Sequence, residues 1–343
     1  MQELIATTTL GSYPQPDWLI DKTRLVRKGV PRVRAADVWR VAPEHLDEAV
    51  EAATRVAVAD QEAAGIDLLT DGEIGRESYF NHFATALGGV DPEHLGAGIN
   101  RNGGHSDVPL VTGPIERTVP VELEAAHLLR ATTDRATKVT VPGPFTLSQL
   151  AQNEYYPDQR SLAMAYAEAV RLELLDLAAA GIDVVQLDEP YLQANATAAR
   201  AFALEAVAAA VDGVPATTML HTCYGYAQYV ADKSSGYPFF DELAGFPVDW
   251  LAVEMAEPAL GTDVLARLSP RKVVMGVLDL STTTVEAPEA IAARIREALT
   301  HRGPDELMVS PDCGMKFLPR AVAQAKMAAM VDGAALVRAE LVG

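Results

Sequence analysis

The sequence predicts a (β/α)8 TIM barrel, and three observations predict it. Eight short apolar runs, each about as long as a buried parallel strand, alternate with longer amphipathic segments across the 343 residues. The runs end in polar or glycine-rich clusters, which is where barrels of this type keep their catalytic groups. No G-x-G-x-x-G turn follows the first run, so the competing doubly wound open sheet lacks its phosphate-binding signature.

The runs span residues 4–10, 66–70, 138–141, 183–187, 216–221, 250–254, 272–277 and 306–310. Each is rich in Leu or β-branched residues. Residues 162–180 carry apolar positions at helical spacing and stop before Gly181. Residues 196–211 are alanine-rich and stop at Asp212-Gly213. Residues 288–299 open with Pro288 in a favoured first-turn place, and 318–341 hold the last long helical pattern. The phrase Ala-Gly-Ile-Asp occurs twice, at 64–67 and 180–183, and reads as a helix C-cap glycine entering a strand. Residues 88–120 break the rhythm with Gly, Pro, Asn and His. They read as an insertion between the second and third strands, with 108–112 as an extra strand in a hairpin near the active-site mouth. No linker divides the chain, so the expectation is one catalytic barrel over 1–343.

Composition narrows the function. A net charge of −19 with scattered acids argues against a nucleic-acid surface. No apolar stretch reaches the roughly 18 residues of a membrane span, and residues 1–10 have no basic leader. Two cysteines, Cys223 and Cys313, make no disulfide framework, so a cytoplasmic setting is expected.

The strand ends carry the chemistry. In order they are Leu10-Gly11-Ser12, then Asp71-Gly72-Glu73 with Arg76 behind, Pro142-Gly143-Pro144, Asp188-Glu189-Pro190, His221-Thr222-Cys223, Glu254, Leu278-Asp279 and Asp312-Cys313-Gly314. His221 and Cys223 stand at i and i+2, so a strand points them to one face. With Glu254 and Cys313 they offer one nitrogen, two sulfurs and one oxygen, a set that suits zinc. The competing reading makes both cysteines small buried hydrophobes. Asp188 and Glu189 are suited to binding an amine or holding a base, or else serve as helix N-terminal charge. Glu73 and Arg76 otherwise read as a surface ion pair. His45, His82 and His105 have no partner pattern, and Trp18 and Trp39 read as packing.

Taken together, these residues resemble the catalytic half of the cobalamin-independent methionine synthase family. The likeness covers nearly the whole chain. It runs through Thr7-Thr8-Thr9-Leu10-Gly11-Ser12, Asp71-Gly72-Glu73 with Arg76, Gly143-Pro144-Phe145-Thr146, Leu187-Asp188-Glu189-Pro190, His221-Thr222-Cys223, Glu254 and Pro311-Asp312-Cys313-Gly314. The resemblance implies zinc held by His221, Cys223, Glu254 and Cys313. It implies homocysteine bound through its amino group by Glu73 and Asp188, with its carboxylate near the Gly11-Ser12 backbone. The homocysteine sulfur would join the zinc as a thiolate and attack a methyl carbon.

Three departures are visible. The long form's N-terminal barrel is absent, and no tryptophan follows Gly143-Pro144-Phe145-Thr146. Ser281 also stands where the long form has a proton-donating histidine, in Gly276-Val277-Leu278-Asp279-Leu280-Ser281. Asp279 remains as an acid there if its pKa is raised. This pattern fits short members, some of which take methyl groups from a corrinoid, so the donor is methyltetrahydrofolate or a methylcorrinoid, with a corrinoid protein as a partner in the second case. An alternative is zinc-dependent opening of an epoxide by coenzyme M, for which Arg76 is the strand-end cation. A non-enzymatic alternative is a metal-storing barrel.

Overall fold

The computed structural model describes residues 4–28, 32–99, 104–226, 229, 233 and 237–342. Seven parallel strands lie side by side in chain order: Leu68–Thr70, Ala136–Pro142, Val184–Asp188, Thr217–Thr222, Trp250–Val253, Lys272–Leu278 and Leu307–Pro311. Thr7 pairs with Val309 at one edge and Thr8 with Leu68 at the other, which closes the sheet into a TIM barrel. The segment around Thr7 and Thr8 is therefore the first barrel strand, and those above are the second to eighth.

The first strand is shorter than the apolar run that predicts it. Ile5 has φ 53°, and the Thr7 N–H is taken by Asp67 Oδ2 at 2.8 Å. The other seven strands fall on their runs to within about two residues.

Strand alternation sorts the side chains. Leu68, Val184, Met219, Trp250, Ala252, Val274 and Met308 meet inside the barrel and fill its floor. Their neighbours Leu69, Val185, Leu220, Leu251, Val273 and Leu307 face outward into the core shared with the helices. The helices Gln159–Ala179, Ala196–Val211, Pro288–Ala298 and Arg320–Val342 lie on the predicted stretches. Leu46–Ala64 and Leu123–Thr132 complete the layer where no stretch was singled out.

Between the second and third strands the chain forms the short helix Tyr79–Thr85. An antiparallel hairpin of Gly88–Ile99 and His105–Glu116 follows. The hairpin is longer than the 108–112 run, and His105 opens its second strand. It pairs with Gln152–Asn153, which follows the C-terminal end of the third strand. Trp39 packs against the core, whereas Trp18 is 51% exposed. Among the described residues no helix is long and apolar enough to cross a membrane.

Candidate active site

The C-terminal rim of the barrel gathers the polar strand ends. On the fifth strand Met219 and His221 point inward, and Cys223 continues that face one step past Thr222. The register shifts between Ser310 and Pro311 on the eighth strand. Asp312 then folds over and accepts the backbone N–H groups of Met255, Ala256 and Glu257 at 3.0, 2.9 and 2.6 Å. This anchoring sets Cys313 Sγ 3.6 Å from Cys223 Sγ, with no disulfide between them. The donor atoms of His221, Cys223 and Cys313 all lie within 4.8 Å of one another, and all three residues are buried.

Electrostatics mark the same place. Burial opposes charging the His221 ring. The Asp188 carboxylate, with Oδ2 3.1 Å from Nδ1, more than offsets this and holds the ring well above the usual histidine pKa. The Cys313 thiol is pushed up by its contact with Cys223 and by burial.

Glu254 is buried beside this group but turned from it. Its carboxylate meets Lys233 Nζ and accepts the Tyr224 N–H at 3.0 Å. Lys233 also reaches Glu257 at 2.7 Å, so the ammonium neutralises both acids. The structure thus brings together three of the four sequence-predicted ligands, and the fourth stands next to them with a cation on it.

Glu73 and the Gly11-Ser12 turn adjoin the same rim, where the Met315 N–H donates to the Ser12 carbonyl at 2.7 Å. Gly11 has φ +68°, and a Cβ there would strike the Glu73 carboxylate. Glu73 itself has φ 54°, a strained conformation for a residue other than glycine. Its Oε1 is buried without a hydrogen-bond partner, with Arg76 Nη1 4.0 Å away. Burial pushes its pKa up to about 8; Arg76 opposes the shift and Asp188 and Asp71 add to it. The pair with Arg76 is not a surface ion pair, since both side chains are only 2% exposed. Arg76 is held by Glu122 Oε2 at 3.1 Å and by the Thr140 carbonyl at 2.8 Å. Glu189 binds the Phe145 and Thr146 N–H groups at 2.9 and 2.7 Å, opening the helix Pro144–Gln149. It is structural, while its neighbour Asp188 faces the site.

A cavity of about 210 Å³ opens beside Cys313, lined by Tyr226, Lys233, Ser281, Met315 and Phe317 among others. Asp279 is outside that lining; its Oδ1 accepts the Ser281 N–H and hydroxyl at 2.8 and 2.6 Å. Sequence reasoning missed Lys233 and Tyr226, whose hydroxyl is 3.0 Å from Ser12 Oγ. Neither lies at a strand end. It also missed Lys138 and Gln186, for which the signal was present: polar residues at the inward positions of apolar strands.

Fold and site together define a barrel enzyme with a nitrogen-and-sulfur donor cluster at its C-terminal rim, flanked by buried carboxylates. Comparison with known proteins gives its kin. The family described as cobalamin-independent synthase, catalytic domain, matches residues 5–336. The chain belongs to that family and is a methyltransferase. It is 32% identical to the methionine synthase of Sulfolobus acidocaldarius, covering 98% of this chain and 94% of that one. It is also 32% identical to the methionine synthase of Pyrococcus horikoshii, with the same coverage. A B12-independent methionine synthase from Shewanella sp. W3-18-1, solved with selenomethionine, superposes with a TM-score of 0.89 at 29% identity over 99% of both chains. A Listeria monocytogenes protein at 22% identity and TM-score 0.73, covering 98% of this chain and 99% of that one, shares the fold.

Proposed function

We propose that this chain methylates the sulfur of homocysteine to give methionine, with zinc held by His221, Cys223, Cys313 and Glu254. The observation that carries the reading is the 3.6 Å between the two sulfurs, with His221 in the same group. Two sulfurs about 2.3 Å from one tetrahedral zinc stand roughly 3.7 Å apart. The buried His221 Nε2, the ring nitrogen away from Asp188 and without a hydrogen-bond partner, fits the same ion. When bound, zinc keeps a thiol of pKa about 8.5 as thiolate at neutral pH.

The chain's own residues do the rest. Glu73 Oε1 and Asp188 offer negative charge to the substrate ammonium, and Gly11 lets the backbone approach the same spot. The ammonium ionises Glu73 on arrival, so binding releases a proton. The sulfur then forms a bond to the methyl carbon as that carbon leaves its donor. The cavity beside Cys313 gives the donor access. Nothing on the described surface selects a corrinoid protein, and Arg76, already engaged by Glu122, gives no support to a sulfonate substrate. The same reading takes 1–343 as one catalytic barrel, with 88–120 as its insertion, working in the cytoplasm on two small molecules.

X-ray absorption at the zinc edge, with and without homocysteine, tests the core of this. A new zinc–sulfur contact on adding thiol is expected, and zinc with unchanged ligands would overturn it. Supplying methyltetrahydrofolate and methylcobalamin in turn identifies the donor, and methionine from neither would refute the substrate assignment.

A further inference from the structure

A hydrogen-bonded line runs up the inside of the barrel to Asp188, whose carboxylate faces the His221 ring. Lys138 on the third strand is fully buried, and its Nζ donates to the Thr9 carbonyl at 2.7 Å and to Gln186 Oε1 at 2.5 Å. Gln186 Nε2 donates to Asp188 Oδ1 at 2.6 Å, and Asp188 Oδ2 lies 3.1 Å from His221 Nδ1. The strand register builds this line. Lys138 is opposite Val184, two residues below Gln186, and Asp188 is opposite His221.

The line has a direction. An ammonium only donates and a carboxylate only accepts. The Gln186 amide must therefore turn its oxygen to Lys138 and its nitrogen to Asp188. One Asp188 oxygen is then held from below while the other faces the ring. That favours a proton on Nδ1 and makes Nε2 the ring nitrogen that would face a metal. A buried lysine is costly, and burial pulls Lys138 down to about 7 against the attraction of Asp188 and Glu73.

We propose that Lys138 is a positioning residue that sets, through Gln186 and Asp188, the orientation and tautomer of the His221 ring. Its effect on metal binding rests on the reading of His221 as a ligand; its effect on the ring does not.

The test compares wild type, Lys138→Met and Gln186→Leu by two readouts. One is the His221 Nδ1–H resonance in protein labelled with ¹⁵N-histidine, with and without zinc; that proton is present whether the ring is neutral or charged. The other is zinc affinity by chelator competition. Both variants should shift or lose the resonance and weaken zinc by about 10–100-fold. The double variant should be no worse than either single one, because both act along one path. A folded Lys138→Met with wild-type resonance and affinity overturns the proposal. Should that variant not fold, Gln186→Leu, which leaves Lys138 bonded to Thr9, decides by the same readouts. Wild-type protein that binds no zinc, yet loses the resonance in the variants, would sink the metal assignment and leave this one standing.

Discussion

Gly276→Ala should loosen the site without touching a donor atom. Gly276 lies on the seventh strand, where a Cβ would strike Asp312 Oδ1 and stand 3.1 Å from the Asp312 Cα. Its φ is not among the positive ones, so the backbone itself accepts alanine. The carboxylate must swing away instead. Oδ1 accepts the N–H groups of Met255 and Ala256, directly after Glu254, and Asp312 directly precedes Cys313. Two hydrogen bonds to a charged acceptor, at about 1.5–3 kcal/mol each, put the loss near 3–6 kcal/mol. At roughly 2 °C per kcal/mol for a large domain, Tm should fall by about 6–12 °C. Zinc affinity should fall with it, since Cys313 and Glu254 both lose their anchor. Thermal unfolding followed by circular dichroism, with chelator competition alongside, checks both parts. An alanine variant that melts with wild type and binds zinc equally well would refute the claim that Asp312 anchors this rim.

Two further outcomes follow from the same geometry. Burial, reinforced by Asp188 and Asp71 and opposed by Arg76, raises Glu73 from 4.5 to about 8. The folded chain thus holds a proton that the unfolded chain has lost. Its stabilising contribution is whole below about 4.5 and gone once pH passes about 8. Glu73→Gln should flatten the decline in stability between those limits in urea unfolding taken at successive pH values, and an unchanged slope would count against the shift. Ser281 lines the cavity and donates to Asp279. Ser281→His should raise turnover with methyltetrahydrofolate by on the order of 10–100-fold if leaving-group protonation limits that reaction. A folded variant with no gain would place the limiting step elsewhere.

The barrel was legible because its strands are buried on both faces, so each of the eight runs stands out against the helices. His221 and Cys223 were legible for a related reason: a period of two makes a shared face visible in the letters alone. What stayed hidden depended on partners distant in sequence. The strand Gly88–Ile99 contains a proline and four glycines, poor strand formers, and exists because Gly96–Ile99 pair with 105–108. Glu254 looked like an open ligand because nothing nearby announces Lys233, 21 residues back on another loop. The burial of Glu73 and Arg76 was not legible, because partners distant in sequence make it, Gly11 against Glu73 and Glu122 against Arg76.

The deepest part of the site was hidden for a different reason. Asp71 Oδ1, Glu73 Oε1, Thr140 Oγ1 and His221 Nε2 are buried polar atoms without hydrogen-bond partners. They belong to the upper, polar end of a barrel whose floor is apolar. Leaving such atoms unpaired costs about 1–3 kcal/mol each, and Glu73 adds backbone strain. A fold tolerates that concentration of cost where a ligand completes the bonds. On the function proposed above, groups of the substrate and the metal would bond to these atoms, and no reading of the polypeptide sequence alone could supply them.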